Sequence, residues 1–193
     1  MTNRINEVKP GSFVFIKHNA LALDICQEMI NRFEHCTEDQ YPGRIGQTLE
    51  SDLSIKRSTD IMLSSHGHWK DIDRELFRSL NQAMSEFGQQ FPFFTGAFKD
   101  MGYGMQRTRP GEFYQWHIDG GSHDFADRQL VAIWYLNDVE TGSGETEFDY
   151  QQIKIEPEAG KLLLFPPFWT HRHRGCQLES GIKYIATTWV VFA

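Results

Sequence analysis

The second half of this chain is a train of short apolar runs separated by turn residues. They read QLVAIWYL (129–136), QIKIE (152–156), KLLLF (161–165) and KYIATTWVVF (183–192), with Gly, Pro and Asp between them. Short runs rich in β-branched and aromatic residues, bounded by such punctuation, form strands. Several of them in close succession predict an antiparallel sandwich or a barrel-like double sheet. Parallel sheets need long crossover segments, and these are missing here, which argues against a doubly wound Rossmann-type fold.

The first half reads differently. Residues 13–17 (FVFIK) predict a short strand. Asn19 is positioned to cap a helix through about Cys36, since Ala22, Ile25, Met29, Ile30 and Phe33 recur at helical spacing. Residues 38–54 read as a polar loop, and 56–63 (KRSTDIML) as a strand. From Trp69 to about Phe87 the apolar positions Ile72, Leu76, Leu80, Met84 and Phe87 predict a second amphipathic helix. The expectation is one domain over 1–193. Residues 1–96 supply supporting helices and flanking strands, and 97–193 the β core.

Composition bounds the function. The 193 residues are 40% hydrophobic and 23% charged, ordinary globular usage that disfavours disorder. The net charge of −7 disfavours a surface built to grip phosphates, so no nucleic-acid partner is expected. Three cysteines (Cys26, Cys36, Cys176) are too few and too odd for a disulfide framework. That fits a reducing, cytoplasmic setting. No apolar run is long enough to span a membrane, and MTNRINEVKPG lacks the apolar run of a signal peptide. Aromatic residues reach 13%, with 15 Phe, so the core or a pocket is rich in rings; FPFF (91–94) reads as core packing.

Among eight histidines, two pairs lie at spacing two, His66/His68 and His171/His173. The first sits in a predicted turn before a helix, where exposure is the simplest reading. The richest segment is RTRPGEFYQWHIDGG (107–121), which holds His117 and Asp119. On a strand, residues i and i+2 share a face, so this imidazole and carboxylate can meet one ion. FPPFWTHRHRG supplies His171 and His173 more than 50 residues downstream. Two histidines and one carboxylate, with positions left open, make the facial triad of non-haem Fe(II) oxygenases. Structural zinc would use four ligands, usually with Cys, and only Cys176 is near; catalytic zinc stays open. Ten residues beyond His173, Lys183 opens an apolar strand and shares a face with Ile185, Thr187 and Trp189. A lysine so placed needs water or an anion.

At this point the stretch from about 103 to 191 resembles the Fe(II)/2-oxoglutarate-dependent dioxygenases of the prolyl 4-hydroxylase type. The matching pieces are PGEFYQWHID, RQLVAIWYLND, GETEF, KIEPEAGKLLLFPP and HRGCQLESGIKY, in order and at family spacing. The resemblance implies a double-stranded β-helix (jelly roll, cupin-like), mainly β with supporting helices. It implies that His117, Asp119 and His173 bind iron and carry catalysis. Gly175 and Lys183 stand at the family's distances from His173, not from His171. His171 is left as a surface histidine or one facing the same site. Lys183 matches the residue that pairs with the far carboxylate of 2-oxoglutarate. Tyr135 and Tyr114 match aromatic residues of the cosubstrate site.

The implied reaction couples decarboxylation of 2-oxoglutarate by O₂ to hydroxylation of a peptide, protein or small molecule, prolyl residues included. Its cofactors would be Fe²⁺, 2-oxoglutarate as cosubstrate, and O₂, with ascorbate as a reductant. Three positions depart from the pattern. Thr108 stands where many relatives carry Tyr, Val131 where some carry Thr, and Ser143 for the first Gly of a G-G-E-T turn. Two rival readings use the same residues. One is a non-catalytic jelly roll that holds metal or ligand, the other a zinc-dependent hydrolase.

Overall fold

Two antiparallel sheets face each other, and a layer of helices backs the larger one. The computed structural model describes residues 4–46, 49–140 and 142–193. In chain order the strands are β1 (Asn6–Glu7), β2 (Phe15–Lys17), β3 (Tyr41–Pro42), β4 (Thr59–Met62), β5 (Phe98–Asp100), β6 (Gly104–Thr108) and β7 (Tyr114–His117). They continue with β8 (Arg128–Tyr135), β9 (Thr146–Phe148), β10 (Ile153–Ile155), β11 (Leu162–Phe165), β12 (His173–Gly175) and β13 (Lys183–Phe192). The helices are α1 (Leu23–His35) and α2 (Lys70–Gln90). The major sheet runs β1-β2-β11-β8-β13-β6-β4-β3, with β5 on the far end of β13; the minor sheet runs β10-β9-β12-β7. This is the antiparallel double sheet that the strand train predicts, arranged as the double-stranded β-helix that the resemblance implies. Among the described residues no helix is long and apolar enough to cross a membrane.

The long apolar runs are explained by burial on both faces. Along β8, Leu130, Ala132 and Trp134 pack toward the helices, while Val131, Ile133 and Tyr135 pack toward the minor sheet. Period-two alternation is therefore present but invisible in the sequence, because both sides are apolar. β11 divides likewise, with Leu162 and Leu164 on the helix side and Leu163 and Phe165 on the other. On the helix side, α2 buries Ile72, Leu76, Leu80, Ala83 and Phe87 as one stripe. Phe87, Phe91 and Phe94 join Phe15 and Phe98 in a run of ring contacts at 4.7–5.5 Å, so Phe91 and Phe94 of FPFF pack against the core, while Pro92 and Phe93 are exposed. Trp134 Nε1 donates to Ser79 Oγ (2.9 Å), and that hydroxyl donates to the Ala20 carbonyl (2.7 Å), tying sheet to helix layer.

Two local expectations need correction. Asn19 does not cap α1. It lies in a turn at φ 50°, and Ala22 precedes the helix without a side-chain cap. Asn tolerates that left-handed turn, so the signal marked a bend rather than a cap. The 38–54 loop contains a 3₁₀ turn from Thr37 and the two-residue β3, although residues 47–48 of it lie outside the described ones.

Candidate metal centre and cosubstrate pocket

β7 and β12 pair side by side, and this pairing brings the sequence-predicted ligands together. His173 lies opposite His117 and Gly175 opposite Tyr114, so two steps on β12 match three on β7. The extra residue is a β-bulge, which resets side-chain direction. Tyr114 and His117 therefore share a side despite their odd spacing. Their rings stack at 3.6 Å and 14°.

Asp119 reaches the site by a different route from the one the sequence suggests. β7 ends at His117, and the backbone turns out of the sheet. The N–H groups of Asp119 and Gly120 both donate to the Pro167 carbonyl, at 3.1 and 2.9 Å. A Cβ on Gly120 would stand 3.0 Å from the Pro167 ring, so the approach depends on glycine. Arg128 fixes the same corner. Its Nη1 donates to the Asp119 carbonyl (2.7 Å), and its guanidinium lies between the rings of Phe125 (4.0 Å) and Trp189 (3.8 Å).

The ligand atoms of His117, Asp119 and His173 all lie within 4.8 Å of one another. His173 Nε2 is 3.3 Å from Asp119 Oδ2. Each histidine uses its other nitrogen on the backbone: His117 Nδ1 on the Gln115 carbonyl (2.7 Å) and His173 Nδ1 on the His171 carbonyl (3.0 Å). A carbonyl has no proton to give, so each Nδ1 carries the hydrogen. Both Nε2 atoms are left as lone-pair donors, the arrangement that a bound metal requires. Burial, aided by the neighbouring His173, pushes His117 down to about 3. Burial alone would raise the Asp119 carboxyl, but its contact with His173 and the positive charge of Arg128 nearby hold it well below the carboxylate range. The trio offers one carboxylate oxygen and two imidazole nitrogens, a donor set that fits Fe(II) with open positions.

A cavity of about 400 Å³ opens on this cluster. Lys183, Ile185, Thr187 and Trp189 all line it, while Tyr184, Ala186 and Val190 on the same strand face the helix core. Lys183 is 5% exposed. Its Nζ donates to the Gly144 carbonyl (2.6 Å), and among the described residues no carboxylate oxygen lies within ion-pair distance. Burial pushes this lysine down to about 8. A buried cation of this kind is answered by an anion.

Not every predicted residue joins the cavity. Tyr135 is fully buried and donates its hydroxyl to Thr146 Oγ1 (2.7 Å); Thr146 lines the cavity and Tyr135 does not. His171 is buried rather than a surface residue. It belongs to the 3₁₀ turn Trp169–His171, so strand alternation does not extend to it, and its Nε2 lies 3.0 Å from the Ser12 carbonyl. Arg172 and Arg174 point the other way, over Trp116 and toward Asp149 and Glu147. Sequence reasoning missed Arg128 and Lys56. Lys56 is buried on Asp60 (2.6 Å) beneath the Tyr114 ring. Arg128 carried a usable signal, a charged residue opening an apolar run as Lys183 does.

Comparison with known proteins agrees with this geometry. A sequence model of the 2OG-Fe(II) oxygenase superfamily matches residues 103–191. A probable prolyl 4-hydroxylase of Arabidopsis thaliana is 25% identical over 209 residues, covering 89% of this chain and 66% of its own length. The chain thus spans just under two thirds of that relative. A Trichoplax adhaerens prolyl hydroxylase, solved with a fragment of hypoxia inducible factor, superposes with a TM-score of 0.79 at 16% identity, over 94% of this chain and 84% of its own. A Pseudomonas putida prolyl-4-hydroxylase gives 0.70 at 17%, over 94% and 93%. The double-stranded β-helix, the His-Asp-His cluster and the matched stretch agree in making this chain similar to the 2OG-Fe(II) oxygenase superfamily.

Proposed function

We propose that this protein is an Fe(II)/2-oxoglutarate-dependent hydroxylase acting on a peptide segment, with a prolyl side chain as the target. The observation that carries the reading is a single cavity holding both the His117/Asp119/His173 cluster and the uncompensated Lys183. His117, Asp119 and His173 would hold the iron. When bound, the iron supplies O₂ activation coupled to decarboxylation of the 2-oxo acid. Lys183 binds the far carboxylate by a charge-assisted hydrogen bond. Tyr114, stacked on His117, limits the movement of that imidazole. Tyr135 acts at one remove, by orienting Thr146.

The walls exclude water. Phe165 and Phe148 pack on His173, with centroids 4.7 and 5.7 Å away. Two buried donors at the cavity, Trp189 Nε1 and Arg128 Nε, have no partner among the described residues. They suit the carbonyl oxygens of an extended peptide. Prolyl chemistry is supported by the relatives named above, one of them solved with a peptide fragment. One domain over 1–193, with 97–193 as its catalytic core, is part of this reading.

Anaerobic addition of Fe(II) and then 2-oxoglutarate should give a weak visible metal-to-ligand charge-transfer band. His173→Ala should abolish it, and His171→Ala should keep it. The reverse result would sink the ligand assignment. With ascorbate and O₂ present, proline-containing peptides should release succinate and gain one oxygen; succinate release without peptide hydroxylation would reject the substrate class.

A further inference from the structure

A second set of metal-binding side chains lies outside the cavity, where the two helices meet. Cys36 ends α1, and Asp39 ends the 3₁₀ turn Thr37–Asp39 that follows. His66 precedes, and His68 lies within, the 3₁₀ turn Gly67–Trp69 that leads into α2. None of the four lines the cavity. The ligand atoms of Cys36, Asp39 and His68 all fall within 4.8 Å of one another. Asp39 Oδ2 is 2.8 Å from His68 Nε2, and its other oxygen is 3.3 Å from His66 Nδ1.

The cluster is held in place from behind. Arg32 donates to the His68 carbonyl (2.9 Å) and to both carboxylate oxygens of Asp71 (2.8 and 2.9 Å), which locks α1 against the turn. The Asp39 side chain is only 10% exposed. A carboxylate between two imidazoles needs nothing more than hydrogen bonds. The thiol requires another explanation, because it brings a soft donor to the same point. Glu38 and Asp39 add negative charge beside it.

We propose that Cys36, Asp39 and His68 form a second metal site that takes zinc and clamps the end of α1 to the start of α2, with His66 beside them on the other Asp39 oxygen. One sulfur, one nitrogen and one oxygen already meet at one point, and the His66 imidazole, held on the other Asp39 oxygen, can turn in as the fourth ligand of a tetrahedral structural zinc site. The thiolate selects against hard ions such as magnesium. On binding, the thiol proton leaves to solvent and the two imidazole–carboxylate contacts are exchanged for metal bonds.

Cobalt(II) tests this, because a thiolate ligand gives an intense near-ultraviolet charge-transfer band that imidazoles and carboxylates do not. The full chain is kept reduced, with His117→Ala and His173→Ala removing the cavity cluster. One equivalent of cobalt should produce the band, and zinc should displace it and raise the thermal midpoint. Cys36→Ser should lose the band while circular dichroism stays unchanged. Should that variant misfold, the half-exposed His68→Gln decides, and it should lose both the band and the zinc-induced stabilisation. No band at stoichiometric cobalt, or a band that survives Cys36→Ser or a folded His68→Gln, would overturn the proposal.

Discussion

Lys183 is the residue whose chemistry is most tightly set by its surroundings. Burial holds it down to about 8, and an anion binds only its charged form. Below that pH the ammonium is already present. Above it, each pH unit should weaken 2-oxoglutarate binding about tenfold, because the proton must be supplied first. Calorimetric titration on both sides of pH ~8 checks this; a flat affinity profile would refute the role. Lys183→Met should cost about 1.5–3 kcal/mol of cosubstrate binding, the worth of a charged hydrogen bond. Its effect on the melting temperature of the ligand-free protein should be small, since loss of the bond to the Gly144 carbonyl is offset by removal of a buried charge that has no internal counter-ion. At this scale His117, Asp119 and His173 were legible because donor chemistry and spacing survive in one dimension. The Tyr135 hydroxyl was not, because its partner Thr146 comes from a different sheet.

Among the elements, the turn before β9 matters most to the pocket. Gly144 has φ 70°, and a Cβ there would lie 2.9 Å from Leu178 Cδ1. Its carbonyl receives Lys183 Nζ. Gly144→Ala should cost about 1–2 kcal/mol from backbone conformation alone. It should also weaken 2-oxoglutarate binding while Fe(II) affinity holds, which equilibrium binding of each ligand would separate. β13 was legible from end to end, Lys183 to Phe192, because a ten-residue β-branched and aromatic run has no competing reading. The His117-Ile118-Asp119 geometry was not. The Pro167 carbonyl that draws the chain out of β7 is almost fifty residues away in sequence.

Across the whole molecule, three layers share two interiors, and the larger sheet belongs to both. The first half contributes β1 to β4 to that sheet as well as both helices. The layer bond from Trp134 through Ser79 to Ala20 gives a test remote from the cavity. Ser79→Ala leaves a buried indole N–H unpaired and should cost about 1–3 kcal/mol. For a chain of this size each of those should lower Tm by roughly 2–4 °C. Binding of 2-oxoglutarate should stay unchanged; a large affinity loss would show that the helix layer tunes the site.

β13 has one further consequence. Its odd-numbered residues from Lys183 to Trp189 form the cavity wall, and its even-numbered ones belong to the helix-side core. A single inserted residue would exchange the two sets, driving the ammonium into hydrocarbon and Tyr184 toward the His117/Asp119/His173 cluster. Inserting two would restore sidedness but displace the charge by about 7 Å. This strand can therefore change by substitution but not in length, and new specificities in such a scaffold must come from the loops around its mouth.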